Sequence, residues 1–217
     1  VFNFKIYFMS EQSPLSLGTE DIKKLLMRYA VPAIVAMTAA SLYNMMDSIF
    51  IGHWVGALGI AGLAVTFPFI NLAAAFGSLV GVGASTLVSV KMGQKDLKSA
   101  EAVLGNVLLL NTVIGFLFMT VCLIFLDPIL YFFGASADTL PYARDYMNVI
   151  LIGNVITHMY LGLNAVLRSS GFPKLAMYAT LASVVINCVL NPLFIFGFGW
   201  GIKGSAWATV ISQVISL

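Results

Sequence analysis

A single carboxylate, Asp47, stands inside the apolar stretch "SLYNMMDSIFIGHW" (41–54). In a membrane helix, a charged side chain at this depth costs about 2.5–3.5 kcal/mol on insertion scales. An acid retained there is a candidate for binding a proton or a cation. Tyr43 and Asn44 precede it by four and three residues, so all three side chains share one helix face. This face is the first candidate site.

Two later apolar stretches carry polar side chains at helical spacing. The two stripes consist of Ser183, Asn187 and Asn191, and of Ser205, Thr209 and Ser212 or Gln213. Polar stripes on membrane helices avoid lipid, so we expect them to converge with Asp47 on a bundle interior or a wet cavity. Carboxylate, amide and hydroxyl oxygens together suit a hard cation, or a setting that tunes a carboxylate for proton uptake. The pattern leaves sodium and protons equally open.

Histidine is a weaker candidate than Asp47 for binding a proton. His158, close to Asn154 in another apolar stretch, is either a member of a proton relay or a hydrogen-bonded packing residue, and the second interpretation is favoured. Both are retained as candidates for lining the cavity, with Asn44, Ser183 and Ser205. No nucleophile–histidine–acid set, paired carboxylates, metal-spaced cluster or phosphate-binding glycine loop is visible, so the sequence predicts neither an enzyme nor a cofactor.

Composition explains why these polar residues stand out. The chain of 217 residues is 60% hydrophobic and 9% charged, with a mean hydropathy of +0.97. Soluble domains average roughly 25% charged residues. The sequence therefore predicts an all-α integral membrane protein, with the lipid bilayer as its surroundings and no nucleic-acid partner.

Six stretches qualify, or nearly qualify, as membrane helices, which need roughly 20 apolar residues. They are residues 29–53, 58–90, 102–126, 142–167, 175–198 and 204–217. The last stretch is too short for a finished span, so the chain is expected to end inside its sixth helix. Residues 1–24 are expected to form a cytoplasmic segment, with Met9 as an alternative start, and residues 25–217 a transmembrane lobe.

The basic residues indicate how the spans are oriented. With the N-terminus in the cytoplasm, nine of the 11 Lys and Arg residues fall on the inside. Arg144 and Lys203 alone fall on the outside. This positive-inside bias predicts a multi-pass protein of the cytoplasmic (inner) membrane with a cytoplasmic N-terminus.

Four pieces of sequence resemble the multidrug and toxic compound extrusion (MATE) transporters. They are "LYNMMDSIFIGHWVGALGIAGLAVTFP" (42–68), "GVGASTLVSVKMGQKD" (81–96), "LRSSGFPK" (167–174) and "NCVLNPLFIFGFGWGIKGSAWATVIS" (187–212). Their order and spacing cover nearly the whole chain after residue 20.

The resemblance implies a twelve-helix fold of two six-helix lobes that expose a central cavity alternately to either side. This chain would form the N-terminal lobe and would need the C-terminal six-helix lobe to work. The family exports organic cations and other amphipathic small molecules in exchange for protons or sodium ions. These implications come from the family alone.

Carried over by position, the family's coupling acid and the tyrosine one turn before it match Asp47 and Tyr43. Its fifth-helix asparagine matches Asn187 and its sixth-helix threonine matches Thr209. Many members have an aspartate where this chain has Asn191, before Pro192. A sodium ion would then be held by Asp47, Asn187, Asn191 and Thr209, with one negative charge fewer than in those members.

Two other functions remain open from the sequence. A flippase for lipid-linked saccharides, in the same superfamily, would be expected to use cationic residues in its cavity. The six stretches hold no Lys or Arg except Arg144, which lies at the start of the fourth. In a non-transporting membrane scaffold, Asp47 would serve as a structural hydrogen-bond hub.

Overall fold

The computed structural model describes residues 21–217, and this part of the chain is a bundle of helices without strands. Met9 and most of the predicted segment 1–24 lie outside the described residues. The helices are α1 (Ile22–Trp54), α2 (Ala57–Gly93), α3 (Leu97–Ile124), α4 (Leu126–Phe132), α5 (Leu140–Ile152), α6 (Asn154–Ser169), α7 (Pro173–Pro192) and α8 (Ile202–Ser216), and a π-helical turn, Leu193–Gly197, continues α7.

The helices are long and apolar because a segment in lipid must satisfy its backbone hydrogen bonds internally. By length and composition, α1, α2, α3 and α7 with its π turn can each cross a membrane among residues 21–217. Helices α5 and α6 would make a fifth span if taken as one bent pair. With 15 residues, α8 is shorter than the roughly 20 that a full crossing needs.

The predicted span 142–167 consists of two helices that meet at an angle. Helices α5 and α6 meet at Gly153 and are bent by 59°. A methyl group at Gly153 would lie only 2.3 Å from a side-chain carbon of Val210, so α8 packs directly against the break. The absence of a side chain at Gly153 therefore leaves room for α8 at the bend.

The π turn follows from Pro192. Proline lacks a backbone N–H and interrupts the ordinary helical pattern, and Phe198 N–H donates to Leu193 O, 3.0 Å away, across the wider turn. Helix α8 begins against this turn, because a Cβ on Gly204 would come within 2.8 Å of the Phe194 backbone. This close approach places the start of α8 beside the end of α7.

Helix α2 packs on α6 through glycines. An added Cβ on Gly81 would lie 2.4 Å from Gly162 Cα, and one on Gly77 would lie 2.7 Å from the His158 ring. Small residues four apart let membrane helices approach closely. Ser85, the next residue at this spacing, bonds instead within its own helix, to Val82 O at 2.7 Å.

The apolar core has two parts. The larger cluster surrounds Ile51, Leu130, Met147 and Leu151, towards the end of the bundle where α1 finishes. The smaller one lies between α2, α3 and α6 at the opposite end. At the end with the larger cluster, exposed ion pairs join Arg144 to Asp127 and Lys203 to Asp145.

Candidate functional site

Asp47 is the centre of a buried polar network formed by α1, α7 and α8. Its side chain is only 4% exposed. Oδ1 accepts a hydrogen bond from Asn191 Nδ2 at 2.7 Å and a short one from Ser205 Oγ. Hydrogen bonds to a charged acceptor are stronger than neutral ones, and they offset part of the cost of burying a carboxylate. The acid inside the apolar stretch is thus held by donors from two other helices.

The network continues one helical turn away from Asp47. Tyr43 Oη and Thr209 Oγ1 are 2.6 Å apart, and Asn187 Nδ2 donates to the same Thr209 oxygen at 3.4 Å. Asn191 Nδ2 also donates to Asn187 Oδ1 at 3.2 Å, which closes the link back to Asp47. Each predicted coupling residue is therefore part of one connected set of hydrogen bonds.

Helical spacing explains the geometry. Each helix contributes two residues that are four apart in sequence and so lie one above the other on a single face. The pairs are Tyr43 and Asp47 on α1, Asn187 and Asn191 on α7, and Ser205 and Thr209 on α8. The close packing of α8 on the π turn brings the third pair into contact with the first two.

One polar atom of the network is left without a partner. Asn191 Oδ1 is buried and has no hydrogen-bond partner, whereas the amide nitrogen of the same side chain donates to Asp47. A buried unpartnered acceptor is costly, so it is a place where a water or a cation would be favourable. Together with the Asp47 carboxylate and the Asn187 and Thr209 oxygens, it makes a donor set that fits a small hard cation.

A small cavity of about 40 Å³ opens beside the network. It is lined mostly by polar side chains, namely Tyr43, Ser183, Asn187, Thr209, Ser212 and Gln213, with Val184 as the apolar member. That volume holds a water or two but is far below the several hundred Å³ of a drug-sized site. The cavity can therefore serve ion or water access to the network but cannot enclose a drug.

The other predicted cavity residues are distributed unevenly. Ser205 bonds Asp47 directly, and Ser183 Oγ donates to Ser212 Oγ at 3.4 Å at the edge of the small cavity. Asn44 is exposed and lies outside the network, although it is on the same helix as Asp47. The expectation that Asn44 shares the site with Tyr43 and Asp47 is therefore wrong. Adjacent residues of a helix are about 100° apart, so Asn44 lies at the margin of the face that Tyr43 and Asp47 share and is turned away from α7 and α8.

Asn154 and His158 belong to a different place in the fold. Asn154 Nδ2 donates to Gly115 O at 3.2 Å, and His158 Nε2 lies 3.1 Å from Ala73 O. Both side chains are buried where α2, α3 and α6 meet. The structure therefore does not bring them to the Asp47 network, and His158 is held as a packing residue bonded to the backbone.

Sequence reasoning missed Tyr146 and Thr157. Tyr146 on α5 is 4% exposed and lies beside Thr209, within electrostatic reach of Asp47 and Tyr43. Thr157 Oγ1 donates to Gln213 Oε1 at 2.6 Å, on the far side of the small cavity. Both residues lie in the predicted span 142–167, but Tyr146 directly follows two charged residues and no periodic polar pattern marks Thr157.

Known proteins match this chain over most of its length. The MatE family profile matches residues 32–193. The multidrug export protein MepA of Staphylococcus haemolyticus (strain JCSC1435) is 28% identical over 208 residues, covering 96% of this chain and 46% of MepA. MepA of Staphylococcus aureus (strain MRSA252) is 29% identical over 206 residues, which cover 95% of this chain and 46% of that protein.

Solved structures agree with these relatives. A crystal structure of MATE in the bent conformation superimposes with a TM-score of 0.86 at 29% identity, covering 94% of this chain and 45% of that one. The structure of an outward-facing multidrug resistance MATE family transporter of the MOP superfamily superimposes with a TM-score of 0.86 at 28% identity. The match covers 95% of this chain and 45% of that one.

A bundle of apolar helices that are long enough to cross a membrane, packed around a buried carboxylate network, is the architecture of a multi-pass membrane protein. Because the family profile covers more than half of it, the chain belongs to the MatE family. This confirms the resemblance that the sequence motifs indicated. The chain spans about half the length of the curated relatives that it matches, as expected for one six-helix lobe.

Proposed function

We propose that this chain supplies the cation-coupling site of a multidrug antiporter. In this proposal a proton or a sodium ion binds at Asp47 and drives the export of small amphipathic or cationic molecules. The relatives that it matches are named multidrug export proteins. The protein would act in the cytoplasmic membrane, with the N-terminus inside.

The observation that carries the proposal is the unpartnered Asn191 oxygen next to a buried carboxylate. Asp47 provides the negative charge, while Asn191 Oδ1 is an oxygen with no competing hydrogen bond. The Asn187 and Thr209 oxygens complete a partial shell for sodium. A proton would instead bind directly to the carboxylate.

Binding at Asp47 would change how α1 is held. The charged carboxylate accepts hydrogen bonds from α7 and α8, and Tyr43 meets Thr209 one turn away. A proton neutralises the acceptor, and a sodium ion competes with both donors. A bound cation thereby favours one arrangement of the three helices over another, which is what coupling to a change of conformation requires.

Substrate binding would involve more than this lobe. The small cavity beside Asp47 holds about 40 Å³, so a drug must contact a larger surface. We propose that this surface forms between this bundle and a second six-helix lobe, and that the two lobes alternate access to either side of the membrane.

The test is ethidium efflux from cells that express the full-length gene with Asp47→Asn. The amide is close in size to the carboxylate but carries no charge, so we expect export to fall at least tenfold at equal amounts of protein in the membrane. Asp138→Asn removes an exposed acid between α4 and α5 and is the matched control, for which efflux should stay unchanged. Efflux by Asp47→Asn at the wild-type rate would rule out the role of Asp47.

The coupling ion is tested with the same cells. Varying sodium at constant pH, and then pH at constant sodium, shows which gradient drives efflux in the wild type. The gradient that matters should lose its effect in Asp47→Asn. If either gradient still drives efflux through the variant, that ion binds elsewhere in the protein.

A further inference from the structure

A second cavity lies at the end of the bundle where α1 begins, about two to four helical turns along α1 from Tyr43. It measures about 220 Å³ and is bounded by α1, α6 and α7. Pro32, Ala36 and Met177 form an apolar wall, while Tyr29, Asn164 and Arg168 provide the polar side. None of the residues that line this cavity belongs to the Asp47 network.

One basic residue, Arg168, lines this cavity, and Lys174 directly follows another lining residue, Pro173. Arg168 is exposed and takes part in none of the ion pairs among residues 21–217. Lys174 is exposed on the first turn of α7, and Lys24 is exposed on the first turn of α1. No Asp or Glu lines the cavity. The charge around it is therefore suited to an anion.

The start of α7 also favours an anion there, and a side-chain hydrogen bond orders the polar side. Pro173, at the first turn of the 20-residue helix α7, lines the cavity, and no side chain caps that helix end. A helix N-terminus carries a partial positive charge and free N–H groups. Asn164 is held in place by donating to Ala176 O at 3.1 Å, which keeps the polar side rigid.

We propose that this cavity binds the phosphate group of an anionic phospholipid, with the first part of an acyl chain against Pro32, Ala36 and Met177. Arg168 at the rim pairs with the phosphate, and Lys174 and the α7 N-terminus add to the attraction. Basic pockets between transmembrane helices on the cytoplasmic side bind anionic headgroups in this way. In the orientation proposed above, the lipid comes from the cytoplasmic leaflet. The site is independent of cation coupling at Asp47.

The test is native mass spectrometry of the purified chain in detergent, titrated separately with phosphatidylglycerol, phosphatidylcholine and inorganic phosphate. We expect phosphatidylglycerol to bind more tightly than phosphatidylcholine, and inorganic phosphate not to displace it. Arg168→Gln should weaken phosphatidylglycerol about fivefold, the effect of one basic residue near a membrane surface. Arg168→Lys should retain most of the affinity, because it keeps the charge.

Two more variants distinguish lipid binding in the cavity from non-specific attraction to the basic residues at this end of the bundle. Lys98→Gln removes one exposed cation at the same end of the bundle, on α3 and away from the cavity, and should leave binding unchanged. Ala36→Leu fills the apolar part without changing charge and should weaken phosphatidylglycerol as well. Equal losses in Arg168→Gln and Lys98→Gln would overturn the proposal, as would phosphatidylglycerol binding that neither Arg168→Gln nor Ala36→Leu reduces. Displacement of the lipid by inorganic phosphate would show a site for free anions instead.

Discussion

At the scale of single residues, Asn191 donates a hydrogen bond to Asp47, which a charged aspartate at the same position could not do. Its amide nitrogen donates to Asp47, while its oxygen remains without a partner. A charged carboxylate has no proton to donate and would repel Asp47 at this distance. The amide therefore stabilises the buried charge of Asp47, whereas a second acid would need a proton or cation between the two groups.

We therefore predict that Asn191→Asp binds cations more strongly than the wild type. Two facing carboxylates attract a cation more than one does, and about tenfold tighter binding corresponds to about 1.4 kcal/mol. Melting of the purified chain in detergent should show a stabilisation by sodium, or by lower pH, that is a few degrees larger in the variant.

Gln94→Glu is the control for this prediction, because it makes the same change from amide to carboxylate at an exposed position in the α2–α3 turn, outside the network. Its response to sodium and pH should equal that of the wild type. If Asn191→Asp responds no more than Gln94→Glu, residue 191 does not contribute to a cation site.

At the scale of the helices, the contact between α2 and α6 depends on the absence of side chains. A Cβ on Gly81 would meet the backbone of Gly162 at 2.4 Å. Backbone cannot move aside as a flexible side chain can, so the two helices would have to separate. Because α6 joins α5 at the Gly153 bend, a shift of α6 would also disturb the region where Val210 and α8 pack.

We predict that Gly81→Ala destabilises the bundle by about 1–3 kcal/mol, the usual range for overpacking a tight contact. The measurement is thermal or denaturant unfolding in detergent. Gly83→Ala, two residues further along the same helix, meets nothing within 4 Å and is the matched control. It should be neutral or slightly stabilising, since alanine favours a helix over glycine. Equal stability of the two variants would contradict the packing described for α2 and α6.

At the scale of the whole molecule, the charged residues among 21–217 other than Asp47 lie at the two ends of the bundle, and one end has more basic residues than the other. The end with the start of α1, the α2–α3 turn and the α6–α7 turn carries most of the basic residues. The opposite end has Arg144 and Lys203, and each of them pairs with an acid. The asymmetry supports a cytoplasmic location for the first end.

The orientation can be tested with single cysteines in a background without Cys122 and Cys188. We predict that Asp138→Cys, between α4 and α5, reacts with a membrane-impermeant maleimide added to intact cells. Lys95→Cys, in the α2–α3 turn, should react only after the membrane is permeabilised. The reverse pattern would mean that the N-terminus of α1 faces outward.

Much of the protein could be predicted from sequence because membrane helices are local structures. Length and hydropathy alone indicated the long helices, since each satisfies its own backbone hydrogen bonds in lipid. Spacing of four residues placed Tyr43 with Asp47, Asn187 with Asn191 and Ser205 with Thr209 on common faces, before any contact between helices was known. Because polar faces avoid lipid, the sequence also predicted that these faces meet, and the family resemblance added their expected role in coupling.

Only the tertiary structure decided which polar residues share a site. Ser205 contacts Asp47, and Tyr146 of α5 lies beside the same network. Asn44 is at the surface, and Asn154 and His158 lie where α2, α3 and α6 meet. The tertiary structure also shows a bend at Gly153 within the predicted fourth span, where Val210 of α8 occupies the space that a side chain would need. These outcomes depend on how distant helices pack. Periodicity within one helix shows which residues share a face, but it does not show which neighbour that face will meet.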